Sequence, residues 1–291
     1  MTNVGSGHDR TGPVPPRDGL RPGRRGELLM RVVSAVVMAT LALGTAWIGG
    51  LVFDLFWLAA AVVVLMEWHG LIGATRRFAA MVPGGAALTV AQMFSAQAHP
   101  AGAIGILALG AAATLPLADA GRRLIMAGGV LYAGALVVAL PILRHSAVDG
   151  IAVMVWLFAI VWGTDTMAFF GGRLIGGPKL APRLSPSKTW SGFVVGITSG
   201  AVLGLLVAPH SGCGGCIVVA GLLGGALAQA GDLFESSLKR RFGVKDAGSL
   251  IPGHGGLMDR LDGFIAASIF AATVGLWRFG GMESGAGLLK W

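Results

Sequence analysis

Charged residues are scarce in this chain. Asp, Glu, Lys and Arg make up 12% of the 291 residues, whereas soluble domains carry roughly 25%. Hydrophobic residues make up 54%, the mean hydropathy is +0.74, and no long polar block is present that would form a separate soluble domain. These absences exclude an ordinary soluble protein. They indicate an all-α, polytopic integral membrane helical bundle.

Cysteine is also nearly absent. The two cysteines, Cys213 and Cys216, lie in the sequence C-G-G-C. A structural metal site is not indicated, because no second pair of ligands accompanies them. Two interpretations stay open: the cysteines are small residues in a Gly-rich turn, or they form a disulfide if the loop faces an oxidising compartment.

Apolar stretches of near membrane-spanning length recur along the chain, each close to the ~20 residues that a helix needs to cross the hydrocarbon core. They cover residues 32–48, 51–66, 79–97, 101–118, 124–142, 150–169, 191–209, 215–231 and 263–280. The count predicts about nine transmembrane helices, with eight or ten left open because several stretches are short. The 48 glycines fit close packing of helices in lipid.

The distribution of Lys and Arg predicts the orientation in the membrane. With a cytoplasmic N-terminus and nine spans, 19 basic residues fall on the cytoplasmic side and three fall outside. This asymmetry follows the positive-inside rule, so the net charge of +8 does not indicate a nucleic-acid partner. Residues 1–29, rich in Pro, Gly and Arg, are predicted to be a disordered basic cytoplasmic tail, and residues 30–291 the polytopic membrane domain.

One segment, residues 232–262, concentrates charge within this apolar chain. It holds five of the 14 acidic residues and five of the 22 basic ones: Asp232, Glu235, Asp246, Asp259 and Asp262, with Lys239, Arg240, Arg241, Lys245 and Arg260. On a helix, carboxylates three residues apart share one face, as in Asp232 with Glu235 and Asp259 with Asp262. A charge cluster of this kind in a membrane protein is a candidate functional site.

The residue types in this segment suit one chemistry. Carboxylates are hard ligands that suit Mg²⁺, and Lys and Arg suit phosphate oxygens. His254, Gly255 and Gly256 follow Pro252 in a tight turn whose backbone N–H groups could approach an anion. The combination is typical of phosphoryl or nucleotidyl transfer. The alternative is a solvated cytoplasmic loop with a charged amphipathic helix.

A second polar segment covers residues 162–192. Asp165 interrupts an apolar span, so it either lines a polar cavity or pairs within the bundle. Downstream, Ser185 or Ser187 is predicted to cap a helix that begins at about Thr189. Lys188 then has two interpretations, an interfacial lysine reaching towards water or a phosphate contact at the N-terminus of that helix.

These segments resemble the phosphatidate cytidylyltransferases, also called CDP-diacylglycerol synthases. The resemblance lies in S-x-L-K-R, then K-D-x-G, then L-I-P-G-H-G-G-L-x-D-R-L-D within residues 236–262, and in S-P-x-K-T-x-x-G at 185–192. It extends to Asp165, Ala168 and the Gly-Arg pair that ends at Arg173. The chain departs from the family at Phe169, where the family often has Tyr. The N-terminal half resembles the family only in hydropathy.

The resemblance implies an enzyme of a bacterial-type inner (plasma) membrane, with a cytoplasmic N-terminus and active site and a catalytic region in residues 160–265. It would transfer a cytidylyl group from CTP to the membrane lipid phosphatidate and release pyrophosphate. The implied cofactor is Mg²⁺, with a second metal ion and a homodimer left open. No Ser, Cys or His nucleophile is required, because the lipid phosphate is itself a nucleophile.

The site residues implied by the residue types and the resemblance fall into three groups. The predicted catalytic residues are Asp232, Asp259, Asp262, Lys188 and His254. The predicted substrate contacts are Ser185, Lys188, Arg173, Lys239, Arg240, Lys245, Gly255, Gly256 and Arg260. The predicted metal ligands are Asp232, Asp259 and Asp262, with Glu235 and Asp165 as second choices.

Two rival function classes remain. In an ion-coupled membrane transporter, the intramembrane acids would bind the coupling ion, but repeated halves are expected there and none is evident. Another lipid-nucleotide phosphotransferase, of the CDP-alcohol type, would carry a D-G-x-x-A-R motif, which is absent.

Overall fold

The computed structural model describes residues 24–208, 212–248, 250 and 255–291, with side chains described from residue 29 onward. Nine long helices follow one another through this part of the chain, and a short helix ends it. They are α1 (Arg24–Ile48), α2 (Gly50–Leu71), α3 (Arg77–Ala96), α4 (Pro100–Thr114), α5 (Arg123–Arg144), α6 (Gly150–Leu174), α7 (Trp190–Val207), α8 (Gly214–Arg241), α9 (Met258–Phe279) and α10 (Ser284–Leu289).

The prediction of an all-α membrane bundle is confirmed. Nine helices of the described residues are long and apolar enough to cross a membrane. The boundaries differ at the polar ends. Helix α1 begins at Arg24, inside the predicted tail, and α8 continues to Arg241, so Lys239 lies on a helix. Leu, Lys and Arg are good helix formers, which lets α8 extend beyond its apolar stretch.

A two-stranded hairpin connects α6 to α7. Strands β1 (Lys179–Ala181) and β2 (Ser185–Thr189) pair antiparallel. The side chain of Thr189 caps α7 by accepting a hydrogen bond from the Gly192 N–H at 3.1 Å. The prediction that Ser185 or Ser187 caps this helix is therefore wrong, because both lie in the extended strand that precedes Thr189.

Glycines allow α6 and α7 to pack with their backbones close together. A Cβ atom at Gly192 would lie 2.7 Å from the Ala168 carbonyl oxygen, and one at Gly196 would lie 2.7 Å from the Thr164 carbonyl oxygen. Small residues at such spacing are typical of helix packing in membranes. This contact holds the part of α6 that carries Asp165 against α7.

Helices α8 and α9 cross just as closely. A Cβ at Gly231 would lie 2.5 Å from the Asp262 carbonyl oxygen, and one at Gly263 would lie 2.9 Å from the Ala228 carbonyl oxygen. Asp232 follows the first of these glycines and Asp262 precedes the second. The crossing therefore brings acidic residues of two helices to the same level of the bundle.

The opposite end of the bundle carries other polar contacts. Cys213 and Cys216 form a disulfide at the start of α8, which selects one of the two interpretations of the C-G-G-C sequence. Asp54 of α2 lies 3.0 Å from the ring of His145, and Gln92 donates a hydrogen bond to the Asp54 carbonyl oxygen. These contacts join helices of the N-terminal half.

Candidate active site

A cavity of about 1240 Å³ lies between α1, α2 and helices α6 to α9. One end is lined by polar side chains: Asp165, Arg173, Ser187, Lys188, Gln229, Asp232, Asp259, Arg260 and Asp262. The other end is lined by apolar side chains, among them Met38, Ala42, Phe56, Trp57, Phe158 and Trp162. The prediction that Asp165 lines a polar cavity agrees with this arrangement.

Lys188 connects two acidic residues of the polar end. Its Nζ lies 2.7 Å from Oδ2 of Asp232 and donates to Oε1 of Gln229 at 2.8 Å. The amide of Gln229 in turn donates to Oδ1 of Asp165 at 2.8 Å. Lys188 lies in β2, directly before the Thr189 cap, in agreement with the prediction that it lies at the start of a helix that begins at about Thr189. Its position depends on the hairpin and on the acidic side chains that face it.

Asp259 is held by several donors at once. Oδ1 contacts Nζ of Lys239 at 2.7 Å, and Oδ2 accepts hydrogen bonds from the backbone N–H groups of Ala247 at 3.1 Å and Gly256 at 2.8 Å. Lys239 also contacts Oε2 of Glu235 at 3.0 Å, and the Glu235 side chain is 1% exposed. Both oxygens of Asp259 are thus already engaged, and its contacts tie α8, α9 and the connection between them together.

The remaining predicted residues differ in how close they come to the cavity. Arg173 and Arg260 line it, and Oδ1 of Asp262 accepts a hydrogen bond from the Gly263 N–H at 2.6 Å. Among the described residues, those that line the cavity do not include Ser185, Arg240 or Lys245. Arg240 instead donates to the Leu184 carbonyl oxygen of the hairpin at 3.4 Å.

The glycine turn is described only in part. His254 lies outside the described residues. Gly255 has a positive φ of 82°, which favours glycine, and a Cβ there would lie 2.8 Å from Oδ2 of Asp259. The N–H of Gly256 donates to the same carboxylate. These two glycines therefore let the chain close over Asp259.

The acidic side chains fit Mg²⁺ by their chemistry. Asp232 and Asp262 offer carboxylate oxygens to one cavity, and Oε1 of Glu235 is buried with no hydrogen-bond partner among the described residues. Within those residues no three His, Cys, Asp or Glu side chains form a ready metal-binding group. This is compatible with Mg²⁺, which usually takes one or two protein carboxylates and completes its shell with water and substrate phosphates.

Two residues near the site were not found from the sequence. Gln229 is a single amide in an apolar run and is 4% exposed. Glu67, near the end of α2, accepts hydrogen bonds from the N–H groups of Leu257 and Met258 at 3.0 and 2.7 Å. A polar residue inside an apolar span was the available signal for both.

The sequence of the chain matches a known protein family and several named relatives. A model described as the Cytidylyltransferase family matches residues 29–277. The chain belongs to the cytidylyltransferase family. It is 42% identical over 247 residues to a phosphatidate cytidylyltransferase of Brucella melitensis, covering 83% of this chain and 90% of that protein. A protein of the same name from Haemophilus influenzae is 38% identical over 147 residues, covering 47% of this chain and 50% of that protein.

The match to the cytidylyltransferase family begins in α1 and ends in α9. It therefore includes the N-terminal helices, in which the sequence motifs gave no chemical signal. The residues that line both ends of the cavity all fall within it.

Proposed function

We propose that this chain transfers a cytidylyl group from CTP to phosphatidate, giving CDP-diacylglycerol and pyrophosphate. Family membership and the names of the relatives support this activity. The observation that carries it is the cavity, because its polar end offers cations and carboxylates while its other end is lined by aromatic and aliphatic side chains. A substrate with a phosphate head and acyl chains matches both ends, and CTP phosphates match the polar end.

The reaction itself needs charge to be neutralised. A phosphate oxygen of phosphatidate forms a bond to the α-phosphorus of CTP, and the bond from that phosphorus to the oxygen bridging towards the β-phosphorus breaks. Pyrophosphate leaves with the electron pair of that bond. Lys188, Arg173 and Arg260 all line the polar end of the cavity, and in this proposal they contact the phosphates and reduce the repulsion between the two reactants.

The proposed cofactor is Mg²⁺, held by Asp232 and Asp262 together with phosphate oxygens. When bound, it neutralises phosphate charge and orients the reacting groups. Glu235, with its unpartnered buried oxygen, is the next ligand candidate and Asp165 the one after it. The contacts of Asp259 favour a positioning role, in which it holds the start of α9 and so the place of Asp262.

We also propose that the polar end of the cavity faces the cytoplasm, where CTP is available. The asymmetry of 19 against three basic residues supports this orientation. Single cysteines at position 5 and at position 283, where Glu283 is exposed, in a chain without Cys213 and Cys216, should react with an impermeant reagent from opposite sides. Reaction from the same side would contradict the orientation.

An incorporation assay tests the proposed activity. Purified full-length protein in mixed micelles should move the label of cytidine-labelled CTP into a lipid product, and only when phosphatidate and Mg²⁺ are both present. Release of CMP from added CDP-diacylglycerol in the presence of an alcohol acceptor would instead indicate a CDP-alcohol phosphotransferase. Absence of any chemistry, with ion-dependent uptake into vesicles, would favour the transporter.

A further inference from the structure

Glu67 makes an unusual contact between the two halves of the chain. It lies near the C-terminal end of α2 and is 7% exposed. Its two carboxylate oxygens accept hydrogen bonds from successive backbone N–H groups, those of Leu257 and Met258, at 3.0 and 2.7 Å. These N–H groups lie at the start of α9, where a helix has no internal acceptors for them.

The position of this carboxylate is unfavourable for its own helix. A negative charge near the C-terminus of a helix opposes the helix dipole, whereas at a helix N-terminus it is stabilising. Leu257, the residue before α9, provides no side-chain cap. Glu67 of α2 therefore does for α9 what a capping residue within α9 would ordinarily do.

The connection between α8 and α9 closes around the same carboxylate. A Cβ at Gly248 would lie 2.6 Å from Oε1 of Glu67, and a Cβ at Gly256 would lie 2.7 Å from Oε2. Neither glycine has a positive φ, so what each position requires is space beside Glu67. Gly248 precedes residues 251–254 along the chain and Gly256 follows them. The chain therefore contacts Glu67 both before and after this segment, which lies outside the described residues.

Asp259 contacts the connection between α8 and α9 from the other side. It accepts hydrogen bonds from Ala247 and Gly256, the neighbours of Gly248 and Leu257. Two buried carboxylates, one from α2 and one from α9, thus fix the start of α9. Asp262 follows Asp259 by less than one helical turn, so the position of Asp262 depends on these two carboxylates.

We propose that Glu67 is a positioning residue for the cytidylyl transfer. It acts through the start of α9, setting where Asp262 and Arg260 enter the cavity. The inference rests on the proposed function for its effect on catalysis, and the contact itself can be tested without any activity.

Glu67→Gln tests the role in catalysis. The glutamine keeps the size of the side chain, but its NH₂ group is a hydrogen-bond donor. It would face one of the two backbone N–H groups from which the carboxylate accepts a hydrogen bond. Small displacements of catalytic groups can cost about 100-fold in rate, so kcat should fall by about that factor while the KM for CTP changes less than threefold. Glu67→Asp, which keeps the charge but is shorter, should recover part of kcat.

Gly248→Ala tests the same contact by changing the residue that packs against Glu67. The added methyl group would meet Oε1 of Glu67, so this variant should show the same kcat defect. Gly215→Ala is the matched control, since a Cβ at that helical position has nothing within 4 Å, and it should leave kcat unchanged. In the double variant, Glu67→Gln with Gly248→Ala, the two losses should not multiply, because both act through one contact.

Amide hydrogen exchange supplies a readout that does not depend on turnover. In Glu67→Gln, whichever amide of Leu257 or Met258 faces the new NH₂ group should exchange at least about tenfold faster, because that amide loses its acceptor, while peptides from α5 and α6 keep the wild-type rate. Unchanged exchange at both amides would overturn the contact. Faster exchange with unchanged kcat per folded molecule would reduce Glu67 to a structural cap. Inactive wild-type protein would contradict the proposed function and leave the exchange result as the test of the contact.

Discussion

The two halves of the bundle contribute to the site in different ways. Helices α6 to α9 and the hairpin supply nearly all of the charged groups at the polar end of the cavity. Helices α2 to α5 are largely a packed apolar body, and α5 is the most buried of the nine candidate spans of the described residues, with 61% of its apolar window buried. Among the described residues, Glu67 is the one carboxylate of this body that reaches the start of α9.

The two halves therefore differ in the kind of side chain that they bring to the cavity. In the C-terminal half, charged residues contact one another and the cavity. In the N-terminal half, Phe56 and Trp57 line the apolar end, with Trp57 stacked on Phe264 at a centroid distance of 5.4 Å. If this division is right, substitutions of charged residues in the two halves should have very different effects on turnover.

The largest loss is expected for Asp232→Asn. The change keeps the size of the side chain but removes the charge that faces Lys188 and the proposed Mg²⁺. Removing one preorganised group of this kind costs up to about 1,000-fold in kcat. Steady-state kinetics would measure it, with Asp119→Asn as the control, because Asp119 lies in an exposed loop bonded to Thr75. Near wild-type turnover at saturating Mg²⁺ would remove Asp232 from the ligand set.

Asp259→Asn should lower both turnover and stability. Lys239 would lose a charged partner whose side chain is 6% exposed, and breaking a buried pair costs about 3 kcal/mol. We expect a turnover loss of about 100-fold and a lower free energy of unfolding. A direct metal ligand would instead show wild-type stability with a raised Mg²⁺ requirement. Thermal unfolding beside a Mg²⁺ titration separates the two roles.

A smaller loss is expected for Lys188→Arg. Nζ of Lys188 fits between Asp232 and Gln229, and the wider planar guanidinium of arginine does not fit the same space. Cytidylyl transfer should fall by about tenfold, mainly through weaker use of CTP, while expression is retained. Lys179→Arg in the same hairpin is the control. Wild-type kinetics in both Lys188→Arg and Lys188→Gln would make Lys188 an interfacial lysine only.

The smallest effect on turnover is expected for Asp54→Asn. Asp54 lies at the end of α2 opposite Glu67 and pairs with His145. The variant should lose about 1 kcal/mol of stability with kcat within about twofold of wild type. Asp54→Asn and Glu67→Gln each remove a carboxylate from α2, at opposite ends of the helix, so their effects on kcat can be compared directly. An equal loss of kcat in the two variants would contradict the division between support and chemistry.

Charge and motif patterns pointed to residues that line the cavity. Asp165, Lys188, Asp232 and Asp262 stand out because charge is rare in an apolar chain, and all four line the cavity. The helix count followed from apolar length alone. The hairpin was missed because strands of three and five residues have too little alternation to be recognised.

The partners of these residues could not be predicted in the same way. Whether Asp259 faces a metal or Lys239 depends on the path of the connection between α8 and α9, which no local pattern encodes. Glu67 lies 190 residues from Leu257, so its role depends on how α2 packs against α9. Gln229 has no charge to mark it, although its amide joins Lys188 to Asp165.

The fate of the individual phosphates of CTP tests whether the chain transfers the cytidylyl group to phosphatidate. The purified chain would be given phosphatidate, Mg²⁺ and CTP labelled on either its α- or its γ-phosphate. We expect the α-label to appear in the lipid product and the γ-label in pyrophosphate, in equal amounts. Label from the γ-phosphate in the lipid, or pyrophosphate released without phosphatidate, would contradict it.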